Sequence, residues 1–352
     1  MPHGEHIRRR RYPGKNPRKF HEKYKELNPD RYASDVQKVI DAGKTPAGMH
    51  RPIMVAEVLR VLSPGAGDRA VDATLGGGGH AREILTRIRP GGKLIGLDVD
   101  PLELPRTEAR LRAEGFGPDV FVARRSNFAG LPRLLEQEGV SAANLILADL
   151  GVSSMQLDNP DRGFTYKEPG PLDMRMNPSR GAPASRLVTD LSEEKLARVL
   201  EEHADEPHAR LIATLLKTRP VTTTAQLGRR IRAGVKAAYP QTAEEEVETS
   251  VRRTFQALRI AVNDEFSALD AFLRNLPACL APGGRVVMLT FHSGEDRRVK
   301  KAFDSGRRAG IYAATSEGVV RAGADEVRAN PRASSAKLRW AVRGGAEGTA
   351  MG

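Results

Sequence analysis

Cysteine is almost missing from this 352-residue chain, with Cys279 the single example. That excludes an intramolecular disulfide framework and a multi-cysteine zinc site, and it fits a reducing compartment. Long apolar runs are missing too. No stretch approaches the ~18 residues needed to span a bilayer, and the basic N-terminus lacks the apolar core of a secretory signal. A cytoplasmic protein with no membrane partner is the expectation. Acidic residues are the minority charge, at 44 Asp and Glu against 56 Lys and Arg, for a net charge of +12. This excess suggests a polyanionic partner such as nucleic acid, although a basic surface also serves plain solubility.

Charge is unevenly placed. Residues 1–49 hold 12 basic against 6 acidic side chains, including Arg8 to Arg11, with Pro13, Pro17 and Pro29 interrupting any helix. Two readings stay open for this extension. It is an arm that wraps a nucleic-acid backbone, or a solubilising tail too polar to offset its ordering entropy by burial.

From about Arg51 the pattern becomes alternating helices and strands. Val55–Leu62 has helical spacing, and Arg69–Ala73 is a short apolar strand running into Gly76-Gly77-Gly78-Gly79. His80 to Ile88 reads as a helix, Lys93–Leu97 as a second strand ending at Asp98, Val120–Val122 as a third, and Leu145–Ala148 as a fourth ending at Asp149. Such alternation argues for a parallel sheet covered on both faces. The rhythm stops near Ser153, where a Pro/Gly/Asp-rich stretch leads into helical patterns through Tyr239. A long helix is expected over Arg252–Leu276, from Phe255, Leu258, Val262, Phe266, Leu269, Leu273 and Leu276 at spacings of three and four. Pro282-Gly283-Gly284 then turns the chain into a strand from Arg285.

Three constellations carry chemistry. Asp72 to His80 forms a glycine-rich strand-to-helix junction, where open α/β sheets bind nucleotides. It is not a P-loop, because no Gly-Lys-Ser/Thr follows, and it lacks the Gly-x-Gly-x-x-Gly spacing of dinucleotide sites. About 20 residues on, Asp98 closes the second strand, where a carboxylate can accept both ribose hydroxyls. Either signal alone is bland, as a flexible turn or a helix N-cap. Together, and without a pyrophosphate fingerprint, they favour S-adenosylmethionine over NAD. The third run, Asp149-Leu150-Gly151-Val152-Ser153-Ser154-Met155-Gln156-Leu157-Asp158, ends strand four, where Asp149, Ser153 and Ser154 are candidates to orient a nucleophilic amine. The Asn/Asp/Ser-Pro-Pro-Tyr signature of many amino methyltransferases is absent. Cys279 is expected in the core, which argues against the covalent thiolate route to a cytosine ring carbon. His292, Glu295 and Asp296 follow a strand end, where they contact substrate or, equally, Ser293 caps a helix carrying Arg297, Lys300 and Lys301. His203 and His208 read as solvated helix residues, and no metal site is expected.

The run 149–158, with Arg162-Gly163-Phe164, Gly170 to Met176, Thr254 to Ile260, His292-Ser293, Glu295-Asp296-Arg297 and Asn330-Pro331-Arg332, closely resembles the bacterial small-subunit rRNA (cytosine-N4)-methyltransferases, the RsmH or MraW family. The resemblance covers about residues 50–342. It implies S-adenosylmethionine-dependent methylation of a cytidine N4 amine in the decoding centre of 16S rRNA, with rRNA or the 30S subunit as partner. Family cofactor contacts would map onto Gly78, Gly79, His80, Asp98, Phe128, Asp149 and Gln156. The expected fold is α/β, a Rossmann-like methyltransferase sheet from 50–154 and 251–342, with a helical insertion over 155–250 and a tail over 343–352. Departures lie at His203-Ala204-Asp205-Glu206, where the family usually shows Tyr-Gly-Glu-Glu, at Thr249 to Arg253, and at Gly294 in place of leucine. They leave room for a diverged paralogue with another RNA or DNA target, or for a non-catalytic RNA-binding assembly factor.

Overall fold

The computed structural model describes residues 52–345. The basic extension over 1–49 and the end of the tail lie outside the described residues.

In chain order the elements are α1 (Val55–Leu62), β1 (Arg69–Asp72), α2 (Gly79–Ile88), β2 (Lys93–Asp98), α3 (Glu103–Ala113), β3 (Phe121–Arg125), α4 (Leu131–Gln137), β4 (Ala143–Asp149) and α5 (Ser154–Asp158). Then come α6 (Ala184–Asp190), α7 (Glu193–Ala204), α8 (Ala209–Lys217), α9 (Thr224–Ala238), α10 (Glu244–Asn263) and α11 (Glu265–Cys279). The chain continues through β5 (Leu280–Thr290), α12 (Ser293–Arg308), β6 (Tyr312–Thr315), α13 (Ala324–Ala329) and β7 (Lys337–Arg343).

One seven-stranded sheet runs in the order β3-β2-β1-β4-β5-β7-β6. The first five strands in that order are parallel, and β7 is antiparallel to both β5 and β6. This is a Rossmann-like α/β sheet, and its order reverses between β1 and β4, where such sheets open a crevice at their carboxyl ends.

Strand alternation explains why both faces are covered. Val71, Ile95, Ile146 and Met288 face one core cluster, with Leu134 and Leu135 of α4, Phe272 and Leu276 of α11 and Val299 of α12. Their neighbours Ala70, Leu94, Leu145 and Val287 face the other, with Leu62, Leu85 and Leu111 of α1, α2 and α3. Period-two apolar strands can do this only when both faces are buried.

Helices α6 to α10, with Phe164 and Leu172 of the loop before them, build a third cluster from Leu196, Leu200, Ile212, Leu227, Ile231, Val251 and Leu258. Here the structure corrects the expected single helix over 252–276. Asp264 is left-handed, at φ 51°, and splits it into α10 and α11. Asn263 holds the corner, its amide donating to the carbonyls of Met174 and Arg259 at 2.8 Å while its oxygen accepts from Met176 N–H at 2.7 Å. One amphipathic pattern thus serves two cores, α10 in the insertion and α11 against the sheet. The expected turn at Pro282-Gly283-Gly284 lies instead inside β5, as an irregularity against β4 between Ala143 and Leu145.

Candidate active site

The crevice is built by strand ends. Asp72 closes β1, Asp98 closes β2 and Asp149 closes β4. Asp98 accepts from Gly76 N–H at 2.7 Å and from Asp100 N–H at 2.8 Å. The glycine loop is thereby tied to the carboxylate of the neighbouring strand. Thr74 ties it to the other side, its hydroxyl accepting the Asp149 N–H at 2.6 Å while its own N–H reaches Asp72 at 3.1 Å. Gly78 lies at φ +66°, and a Cβ there would stand 2.7 Å from Thr107 of α3, so packing on α3 demands this glycine. Gly79 is the first residue of α2.

Burial sets the electrostatics. It pushes the Asp72 carboxyl up to about 7, reinforced by Asp98. Asp98 is pushed up to about 6, also by burial. Asp149 rises furthest, to about 8, from burial and the charges of Asp72 and Glu295. Its Oδ1 is sealed from solvent without a hydrogen-bond partner. His80 is buried, with Nε2 2.9 Å from the Ile53 carbonyl and Nδ1 3.7 Å from Asp149 Oδ2. Burial drives its pKa down to about 4.

The other candidates divide by role. Ser153 caps α5, accepting from Gln156 N–H at 3.1 Å, and Gln156 Oε1 in turn accepts from Ser153 N–H at 2.9 Å. Ser154 opens that helix. The Gln156 amide donates to Asp100 at 2.7 Å, so much of its side chain braces the loop. Phe128 follows β3, its ring edge-on to Phe272 at 5.3 Å, and Ser126 N–H ties the preceding turn to the Asp98 carbonyl at 3.0 Å. Cys279 is buried, and burial pushes its thiol up to about 11, which removes it as a nucleophile.

Sequence reasoning assigned no role to Asp100 and Arg162. Asp100 is fully buried and accepts from Arg162 at 2.8 Å, while the same guanidinium donates to the carbonyls of Arg175 and Met176. This pair fastens the loop after β4 to the end of β2. The available signal was the pair of aspartates two apart at one strand end.

The seam beyond the crevice corrects three expectations. His203, expected to be solvated, is half-buried, edge-on to Phe266 at 5.3 Å, and burial lowers its pKa. His208 sits on a different helix from His203, as the N-cap residue of α8. The cap of α12 is His292, whose ring accepts from Glu295 N–H at 3.4 Å, with Ser293 the first helical residue. The motif departures meet at this seam. A Cβ on Gly294 would stand 2.5 Å from the Phe266 ring, and Ser293 and Arg297 bond Asp205. Glu206 accepts from Ser250 at 2.8 Å. Glu265, His292 and Glu295 bring potential ligand atoms within 4.8 Å of one another. Arg259 already forks onto Glu265 with two 2.8 Å bonds, so a guanidinium supplies that cluster's positive charge.

Among the described residues no helix is long and apolar enough to cross a membrane. A profile described as the MraW methylase family matches residues 47–344. The chain is 47% identical over 341 residues to a protein named ribosomal RNA small subunit methyltransferase H 2 from Alkaliphilus metalliredigens, covering 96% of this chain and 97% of that one. It is 46% identical to ribosomal RNA small subunit methyltransferase H 1 from Lachnoclostridium phytofermentans, over 96% and 93% of the two chains. Among solved structures, TrmN from Thermus thermophilus aligns with 82% of this chain and 48% of its own, at 15% identity and a TM-score of 0.38.

Proposed function

The chain belongs to the MraW methylase family, and from that premise we propose that it transfers a methyl group from S-adenosylmethionine to the N4 amine of a cytidine in 16S rRNA. The observation that carries this reading is the crevice at the β1–β4 reversal, where three carboxylates from adjacent strands meet the glycine loop. The residues fit the cofactor. Each oxygen of Asp98 accepts one backbone N–H, which leaves lone pairs for two ribose hydroxyls. Asp149 keeps a buried oxygen with no donor. When bound, S-adenosylmethionine supplies an electrophilic methyl on a sulfonium.

The chain's own residues do the rest. Gly76 to Gly79 line the methionine side, and Phe128 flanks the adenine. Asp149, with Ser153 and Ser154, accepts hydrogen bonds from the attacking amine, which localises its lone pair and gives its proton a destination. No covalent enzyme intermediate is required, in keeping with a buried Cys279. The target cytidine lies in the decoding centre and is splayed from its stack to enter the crevice, as enzymes acting on base atoms require. Lys and Arg side chains of the helical insertion over 155–250 and of the C-terminal segment hold the RNA backbone, and the substrate is rRNA or the 30S subunit in the cytoplasm.

The test is mass-spectrometric nucleoside mapping after incubation with labelled S-adenosylmethionine. Naked 16S rRNA and 30S subunits from a strain lacking the family enzyme are both offered. N4-methylcytidine in the decoding centre is the expected product, and Asp149→Ala abolishes it. Label on another nucleotide, or on neither substrate, overturns the assignment.

A further inference from the structure

The carboxyl of Asp149 faces neighbours that offer it no proton. Its Oδ1 is sealed from solvent with no donor in reach. Its Oδ2, on a side chain 29% exposed to the crevice, stands 3.7 Å from Nδ1 of His80. That ring's tautomer follows from its other nitrogen. Nε2 lies 2.9 Å from the Ile53 carbonyl, which can only accept, so Nε2 carries the hydrogen. The ring is neutral, because burial drives its pKa down to about 4. Nδ1 is therefore a bare lone pair, and two acceptors face each other unless a proton lies between them.

Every other charge around Asp149 also opposes an anion there. Burial raises its pKa most, and Asp72 from β1 and Glu295 from α12 add to that, carrying it to about 8. The nearby guanidinium and imidazole are engaged elsewhere. Arg259 is bidentate on Glu265, and His292 lies 3.1 Å from Glu295. Asp72 and Asp98 are themselves raised by burial first, and then by Asp98 and Asp100 respectively, so the next carboxylates along the rim offer no relief.

We propose that Asp149 stands as a neutral carboxylic acid in the ligand-free enzyme, its proton directed at His80, and gives up that proton when a sulfonium cation enters the crevice. The O–H bond breaks, the proton passes to solvent, and the carboxylate left behind pairs with the incoming charge. His80 is a positioning residue in this scheme, since its fixed tautomer turns a lone pair and not a donor toward the carboxyl, 3.7 Å away. After methyl transfer the sulfur is an uncharged thioether. The carboxylate then loses its counter-charge, takes back a proton and no longer favours the spent nucleoside. Asp149 thereby discriminates cofactor from product by charge. This inference rests on the cofactor reading above.

Isothermal titration in buffers of different ionisation enthalpy tests it by counting protons exchanged on binding. At pH 7, S-adenosylmethionine should release about one proton more than S-adenosylhomocysteine. The affinity for S-adenosylmethionine relative to S-adenosylhomocysteine should rise about tenfold between pH 6 and pH 7, because Asp149 must ionise for the cation and not for the product. Asp149→Asn, a neutral isostere, should bind both nucleosides with equal proton counts. His80→Asn, which sets an amide donor near the position of Nδ1, should shrink the difference in protons released between the two ligands. Equal counts for the two ligands in the wild type, or a difference that persists in Asp149→Asn, overturns the inference and leaves the cofactor reading intact. Failure of both ligands to bind the wild type overturns the two together.

Discussion

Carboxylates in the crevice and carboxylates in the helical insertion with its seam to α12 have opposite electrostatic fates. Asp72, Asp98 and Asp149 are all pushed up, burial being the largest cause in each. Asp205 is held below the usual carboxylate range by hydrogen bonds from Arg297, and Glu248 by those from Arg232. The arginines make the difference. Asp205 and Glu248 each carry a guanidinium, and none of Asp72, Asp98 and Asp149 has one among the ion pairs of the described residues. Paired charges hold elements together. Unpaired, crowded carboxylates cost stability, and a fold tolerates them where a ligand completes the site.

The largest test of this contrast lies on the boundary, at Arg162. Arg162→Met leaves Asp100 buried without its counter-charge and frees the carbonyls of Arg175 and Met176. A loss of about 3–5 kcal/mol in unfolding free energy is expected in denaturant titrations. A loss within error would mean that Gln156 alone suffices to hold Asp100.

Asp72→Asn sharpens the crevice side. The Asp72 carboxyl binds its proton more tightly folded, near 7, than at its ordinary value of 3.8. Its ionisation therefore costs the fold stability as pH rises from about 4 to about 7, after which the cost levels off. The asparagine variant removes that cost. It should melt ~4 °C or more above the wild type at pH 8, without ligand, and converge with it near pH 4. Equal melting temperatures at pH 8 would show that the carboxylate finds a counter-charge in solution.

The smallest effect belongs to the seam. Arg297 and Asp205 are both more than half exposed, so Arg297→Ala should cost roughly 1 kcal/mol or less, and less again in high salt. A larger, salt-insensitive loss would make this contact a structural hinge pin rather than a surface pair.

Much of this is legible in the residues alone. The strand–helix alternation, the glycine loop and Asp98 and Asp149 at strand ends are local features, because apolar runs and breakers set each element over a few residues. Asp100 and Arg162 were not legible as a pair, standing 62 residues apart. His203 looked like an exposed helix residue because its partner, Phe266, belongs to a different helix, and Gly294 looked like a lost leucine because the ring it admits is remote in sequence.

The order of elements, the layered sheet and the family follow from local residue patterns, since periodicity and motif spacing are properties of neighbouring residues. Tertiary structure alone decided where one amphipathic pattern breaks at Asp264 to serve two cores. It also decided which carboxylates are paired and which keep a proton. Those outcomes depend on burial and on charges arriving from several strands and helices at once, and no local run of residues carries that sum.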